Sequence, residues 1–561
     1  MTVALFVALC IFVILTFNQY GISNDEEVQH TYGRLLLKFY TSGFVDQDAF
    51  KYLNLYLYGG FFDLIAAILE RVLPTLIGPL VTGSILSGSI GIAPVTDPIF
   101  TSTTWVWDMR HLLSALFGLF GIYGAYKAAR MLGGERVGFF VIALLAITGS
   151  WSGAMFTHTK DVPFGTCMIW ALYYTMRISQ RLPRPSLGLS IKFGIAVGCA
   201  IGMRIGGVFA VFYLFLMLIL AGWVLKDNWR TRWKFWFDAF KAMLPGALVA
   251  FVLMAIFWPW GVMSPEHPLQ AAAAFSHFTF DMLTVMDGEV MQIGAVPREY
   301  LPAYLLVRLP EVFLLGLLSM VACAVWYLRD ATFLRGLKRD SRKLLIWFTL
   351  TVAALFPLVF IMLDKPALYN GVRHFTFILP PLAIVSALGL NATWEAMAKM
   401  PKIRVGFVLI AVLSGFNTAY TLYGLHPYEY VYYNHLAGNM ADAEKEWEGD
   451  YWSSSLREAA ELLESQIPKD EVDGDGLNHA PYRVAVCAES IQGEAYLDHR
   501  FQITSDWLNA DFFISSTNMN CDKVLQGRII GTVNRLGAVL AVVKDRRQLL
   551  EHERMPRPAP H

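Results

Sequence analysis

The sequence predicts an α-helical polytopic membrane protein, with about eleven transmembrane helices and a small C-terminal exoplasmic α/β domain. Three observations carry that expectation. Of its 561 residues 55% are hydrophobic and only 16% charged, with a mean hydropathy of +0.45, far from the balance of a soluble domain. Apolar runs long enough to cross a bilayer recur as far as about Gly424. Beyond that point the chain becomes polar and its periodicity changes to that of short helices and strands.

The first run, VALFVALCIFVILTF from Val3, has neither a basic leader nor a small-residue cleavage site, so it is expected to persist as a helix over 3–20. Further spans are expected near 110–131, 137–157, 164–180, 188–203, 206–225, 242–260, 304–328, 344–363, 374–391 and 405–424. The apolar stretch from Gly188 to Leu225 is too long for one helix and is split at Met203-Arg204-Ile205-Gly206-Gly207, read as a tight hairpin at a membrane face. Residues 1–424 thus form the transmembrane domain, including a large loop over 21–109. In that loop GGFFDLIAAILERVL (59–73) suits a helix lying in the interface, and PTLIGPLVTGSILSGSIGIAP is either a flexible insertion or a re-entrant segment. Residues 425–561 form the second domain, with a helix at SSSLREAAELLES and strands at RVAVCAES, ADFFISS and RIIGTVNRLGAVLAVVKDR.

Basic residues orient the chain, because Lys and Arg collect in cytoplasmic loops. With a cytoplasmic amino terminus the inner loops hold Lys127, Arg130, Arg136, Arg177, Arg181, Arg184, Lys192 and Lys226, and continue in this way to Arg404, whereas the short outer loops hold few cations. The loop 21–109 and the C-terminal domain are therefore expected outside. Four of the six cysteines, Cys10, Cys167, Cys199 and Cys323, lie in apolar runs and read as small buried hydrophobes. Cys487 and Cys521 lie in the outer domain, where a disulfide is possible and its absence equally so.

Ionisable groups gather at the outer helix ends. Asp25, Glu26 and Glu27 follow the first span, Asp108, Arg110 and His111 open the second, and His158, Lys160 and Asp161 join the third to the fourth. Arg204, Arg308 and Glu311 lie on the same side, as do Lys365, Arg373 and His374. Carboxylates can take a proton from an acceptor hydroxyl or amine, and cations can hold a phosphate leaving group, so the combination points to group transfer from a lipid phosphate. The bland alternative makes each of them an interfacial anchor, since Lys and Arg snorkel at helix ends. In HPYEYVYYN, Tyr428, Tyr430, Tyr432 and Tyr433 fit an aromatic interface belt; the other reading makes Tyr428, Glu429 and Asn434 part of the roof of a sugar or acceptor cleft.

The order of several stretches resembles the bacterial GT-C glycosyltransferases of the protein O-mannosyltransferase and lipid A aminoarabinose transferase type. They are NDEEVQHTYGRLL, YLYGGFFDL, RHLLSALFG, MFTHTKDVPFG, HPYEYVYYNHLAG and DYWSSSLREAAELL. The resemblance implies a GT-C fold and a polyprenyl-phosphate-linked sugar as donor. It also implies an acid early in the first outer loop as catalytic base or acceptor-positioning group, here Asp25, with Glu26 the adjacent alternative. Against the family pattern G-H-x-F-N-N-P-K-D-I-P-F the chain keeps Gly153, Phe156, Lys160, Asp161, Pro163 and Phe164. It has Ala154 for the His and Thr157-His158-Thr159 for Asn-Asn-Pro, so either His158 takes over a polar contact or the acceptor differs.

The expected activity is transfer of a sugar from that donor to a lipid, glycan or protein acceptor on the outer face of a bacterial inner membrane. Asp25, Glu26 and Asp161 are the catalytic candidates. Lys160, His158, Arg204, Arg373, His374, Arg110, Tyr428 and Glu429 are those for substrate binding. No organic cofactor and no nucleic acid is expected, and a divalent metal is an open alternative, since the acidic run with His30 and His158 has no compelling ligand spacing. The rival class is a multi-helix transporter or lipid-linked-sugar flippase, which places its charges near mid-membrane and often repeats a half; here they gather at one face.

Overall fold

The computed structural model describes residues 1–81, 104–276, 282–328, 340–468 and 480–549. Helix α1 (Thr2–Thr16) is followed by α2 (Glu26–Thr41) and α3 (Phe61–Val81), both within the large first loop. The expected helix at 59–73 is thus present. Its two acids have partners within the protein, Asp63 pairing with Arg110 and Glu70 with His30. Most of the stretch read as a flexible or re-entrant insertion lies outside the described residues.

Helix α4 (Trp105–Ala146) is 42 residues long, about 63 Å of helix and twice the thickness of a bilayer core. It bends at Gly134, whose φ of 69° costs no Cβ clash, and its two arms correspond to the second and third expected spans. After two single-turn helices come α5 (Asp161–Ser179), α6 (Leu187–Ile201), α7 (Val208–Leu225) and α8 (Trp229–Phe257). The expected break between α6 and α7 is a 3-10 turn at Ile205–Gly207. Ser190, Gly194 and Gly198 form a stripe of small residues on α6 against which the α8 backbone lies: a Cβ on Gly194 would come within 2.1 Å of the Gly246 carbonyl oxygen.

A hairpin of β1 (Leu283–Met286) and β2 (Glu289–Gln292) follows, turned by Asp287 and Gly288, both at positive φ. The expected single span 304–328 is corrected by the structure. It is two helices, Tyr300–Arg308 and α9 (Glu311–Leu328), bent by 118° at Leu309-Pro310. Proline cannot continue the first helix, and the bend carries the buried Arg308 to the carbonyls of Tyr430, Tyr432 and Glu448. The bundle ends with α10 (Ser341–Asp364), a 3-10 segment Arg373–Ile378 leading into α11 (Leu379–Ala396), and α12 (Pro401–Leu425).

Among the described residues seven helices are long and apolar enough to cross a membrane, with the bent pair as an eighth. The remaining expected spans are the second arm of α4, the polar-tipped α5 and the 15-residue α6.

The tail folds as α13 (Leu456–Gln466) packed on a five-stranded sheet of order β4-β3-β5-β7-β6. Its strands are β3 (Tyr482–Cys487), β4 (Phe501–Ile503), β5 (Phe512–Ser516), β6 (Arg528–Arg535) and β7 (Ala538–Asp545). Strand β3 runs parallel to β4 and β5, while β7 is antiparallel to β5 and β6. Three residues long, β4 left no periodic trace in the sequence. One continuous set of buried apolar side chains reaches from Val13 to Val543, so the sheet domain is packed onto the helices.

Candidate functional site

The reason for three consecutive acids after α1 is local. Glu26 turns back on Ser23, its Oε2 accepting the Ser23 backbone N–H at 2.8 Å and the hydroxyl at 3.1 Å, and meets His111 Nε2 at 3.1 Å. That closed arrangement starts α2 and leaves the preceding residue, Asp25, in the left-handed region at φ 71°. A non-glycine residue held there is strained by the order of 1–3 kcal/mol, which its surroundings must over-determine. The surroundings do so. Arg373 donates to Asp25 Oδ2 at 2.6 Å, and Glu489 Oε1 accepts the Asp25 backbone N–H at 2.9 Å.

Arg373 is the hub of the site. Its Nε–H donates to Asp161 Oδ2 at 3.2 Å, the other Asp161 oxygen lies 2.5 Å from an Arg204 nitrogen, and its guanidinium stacks 4.0 Å over the Trp452 ring. Asp161 opens α5, and Lys160 directly precedes it. The two single-turn helices before them, Gly149–Ser152 and Ala154–Thr157, lie against the Glu429–Tyr430 backbone, where a Cβ on Gly149 would stand 2.1 Å from a carbonyl oxygen. Arg204 sits in the extended residue that leads into the turn between α6 and α7.

These groups border a cavity of about 560 Å³ lined by Asn24, Asp25, Asn54, Tyr58, Lys160, Arg204, Leu283, Tyr369, Asn370, Arg373 and His374. The C-terminal residues Tyr451, Trp452, Ala488, Glu489, Asn518 and Met519 complete the wall. Among the described residues Lys160 pairs with no carboxylate; its ammonium lies 4.3 Å over the Tyr58 ring. Burial pushes that ammonium down to about 8, against the raising influence of Asp63 and Asp25. The Glu489 carboxyl is pushed up to about 7 by burial, opposed by the Asp25 N–H it accepts and assisted by the Asp25 charge. Its second oxygen, buried, has no hydrogen-bond partner among the described residues.

The structure brings Asp25, Lys160, Arg204, Arg373 and His374 together around the cavity, with Asp161 held behind the two arginines. It places the other candidates elsewhere. Glu26 is enclosed by Ser23 and His111, and Arg110 is fully buried against Asp63 at 3.1 Å. Tyr428 donates to Glu458, and Glu429 accepts from Tyr20 and meets His426 at 2.6 Å.

His158 stands one layer back. The Trp452 indole N–H donates to its Nε2 at 2.6 Å, so that nitrogen carries a lone pair and the ring is neutral; burial, then the charges of Arg373 and Arg308, hold its pKa well below the usual range. It thereby fixes the ring on which Arg373 stacks. Among the described residues no three His, Cys, Asp or Glu side chains converge as a metal-ligand set.

Sequence reasoning missed Glu489, Tyr58, Tyr369 and the hairpin residue Leu283 as cavity residues. Tyr451 and Trp452 sat within DYWSSSLREAAELL, a stretch already singled out, without being assigned a role. Glu489 lay in a segment read only as a strand, and nothing in its neighbours marked it as facing Asp25.

No family model matches the chain, and neither does any curated protein. Solved structures do. ArnT from Cupriavidus metallidurans in the apo state is 15% identical, with 96% of this chain and 97% of that chain covered and a TM-score of 0.47. The same protein bound to undecaprenyl phosphate gives 14% identity, the same coverage and a TM-score of 0.44. The archaeal oligosaccharyltransferase AglB from Archaeoglobus fulgidus, in complex with an inhibitory peptide and a dolichol-phosphate, is 12% identical over 92% of this chain and 69% of that chain, with a TM-score of 0.48. Solved structures similar to this chain thus include ArnT and the oligosaccharyltransferase AglB.

Proposed function

We propose that the protein is a membrane glycosyltransferase that moves a sugar from a polyprenyl-phosphate-linked donor to an acceptor on the exterior face. The observation that carries this reading is the junction of Asp25, Arg373, Asp161 and Arg204 beside the unpaired Lys160, at one end of the helix bundle and open to a 560 Å³ cavity. Lys160 and Arg204 would receive the donor phosphate, whose lipid tail would lie between helices. Arg373, with both its carboxylate partners and its ring contact, keeps Asp25 and Asp161 at fixed positions.

In the transfer step the bond between the sugar's anomeric carbon and the phosphate oxygen breaks while an acceptor oxygen or nitrogen bonds to that carbon. The acceptor's proton passes to the Asp25 carboxylate, and the electron pair leaves with the lipid phosphate, held by the cations. Asp25 suits the base because its side chain is 45% exposed while Glu26 and Asp161 are enclosed. Glu489, in the cavity wall, accepts the Asp25 backbone N–H through Oε1 and would thereby hold the base in position.

The test is purified full-length protein in vesicles with a radiolabelled polyprenyl-phosphate sugar. Release or transfer of label by wild type, lost in Asp25→Asn with donor binding kept, supports the reading. Movement of intact donor across the vesicle membrane without cleavage assigns the chain to the transporter class instead.

A further inference from the structure

A second cluster of cations lies at the other end of α5. Lys160 and Asp161 start that helix and Arg177 lies in its last turn, roughly 24 Å further along the axis at 1.5 Å per residue. Here a cleft of about 480 Å³ opens between α4, α5 and α6, walled by Lys127, Arg177, Arg181 and Lys192 together with Trp170 and Tyr173. Among the described residues no carboxylate lines it and none of the four cations forms an ion pair. Arg177 is held by the Tyr173 hydroxyl at 2.9 Å, and the Lys127 ammonium lies 6.0 Å from the ring centres of both Tyr123 and Tyr173.

We propose that this cleft binds the phosphate headgroup of an anionic membrane lipid in the leaflet opposite the cavity. Four cations around one hollow, with no carboxylate partner among the described residues, repel one another unless an anion joins them, and a phosphodiester accepts from several donors at once. Basic residues that only orient a chain in the membrane need no shared hollow and no aromatic walls. A basic hollow between helices at a membrane face is, in contrast, the recognised setting for a lipid headgroup.

The walls favour a lipid over a soluble phosphate. Leu116, Phe120 and Tyr123 lie on one face of α4 at helical spacing and are 49%, 49% and 37% exposed, a strip along which an acyl chain can run from the cleft toward mid-membrane. Phe120 stacks on Trp170 at 4.6 Å, so this strip is continuous with the aromatic wall of the cleft.

The experiment uses full-length protein in a neutral detergent, offered equal amounts of phosphatidylglycerol and phosphatidylcholine, with bound lipid counted by native mass spectrometry. Wild type is expected to retain phosphatidylglycerol in preference. At about 1 kcal/mol per cation near a charged headgroup, each cation removed lowers the preference about fivefold, so Lys127→Gln with Arg177→Gln lowers it more than tenfold. Arg181→Gln with Lys192→Gln, both exposed and therefore tolerant of change, gives a second reading that does not rest on the fold of the first.

Arg230→Gln, an exposed cation outside the cleft, leaves the preference unchanged. The proposal is overturned by a wild type without preference, by preference intact in both double variants, or by an equal loss in Arg230→Gln. Displacement of phosphatidylglycerol by millimolar inorganic phosphate would overturn the lipid assignment in favour of a soluble-phosphate site.

Discussion

Asp63 with Arg110, and Glu26 with His111, are buried pairs on α2, α3 and α4, each closed at 3.1 Å and absent from the cavity wall. Asp25, Asp161, Arg204 and Arg373 are likewise acids and cations in contact, at 2.5 to 3.2 Å, yet Asp25, Arg204 and Arg373 border a hollow large enough for a sugar phosphate, with Asp161 behind them. The difference lies in access. A sealed pair has only its immediate neighbours to meet, and its worth is structural. An open cluster keeps charge available to a ligand at the expense of a strained residue such as Asp25.

Adjacent substitutions put that contrast under the greatest strain. Asp25→Asn is expected to slow transfer by about 10² to 10⁴ with donor binding kept, the range a general base supplies. Glu26→Gln, one residue along, should leave turnover per folded molecule within a few-fold; an equal loss in both would dissolve the distinction between open and sealed acids. Next in size, Arg110→Met leaves Asp63 uncompensated in a fully buried site and should lower stability by about 3–5 kcal/mol in denaturation, with little effect on donor affinity in the folded fraction.

Lys160 sharpens the comparison through pH. With its ammonium pushed down to about 8, it is charged below that pH and neutral above, so donor affinity should fall as pH rises through 8. Lys160→Arg should flatten that fall, and Lys160→Met should remove it along with about tenfold of affinity, read by a donor-binding titration.

A second pH effect, read in stability, belongs to Glu489. Its pKa is raised from 4.5 to about 7, so the folded chain keeps a proton that the unfolded chain gives up, and stability declines as pH climbs from about 4.5 through 7. Glu489→Gln should therefore melt higher than wild type at pH 8, by on the order of 2–3 kcal/mol, and alike at pH 4.

The helical membrane architecture was legible because a bilayer demands long apolar runs, and even the α6–α7 break at Met203–Gly207 announced itself through its glycines. Pro310 was just as visible, but the 304–328 run read as a single span, because hydropathy does not register a 118° bend. The cavity was half legible. Asp25, Lys160, Arg204 and Arg373 stand at helix ends, where charge in a membrane protein is conspicuous. Glu26, equally conspicuous, turned inward onto Ser23, three residues before it, and onto His111, a contact between residues 85 apart that no local pattern encodes. Glu489 was hidden for the opposite reason, an ordinary acid in a polar domain whose significance comes from docking against Asp25.

Cys487 and Cys521, left open by the sequence, are joined in a disulfide with Cα atoms 6.3 Å apart. One cysteine lies just before Ala488 and Glu489, the other just after Asn518 and Met519, so the bond laces together the two loops that roof the cavity. Such a link persists where thiols are oxidised and is undone in a reducing cytosol. The roof thus carries its own record of sidedness: in intact cells, a membrane-impermeant maleimide that labels these two thiols only after reductant is added outside would tell which face of the membrane the cavity looks upon.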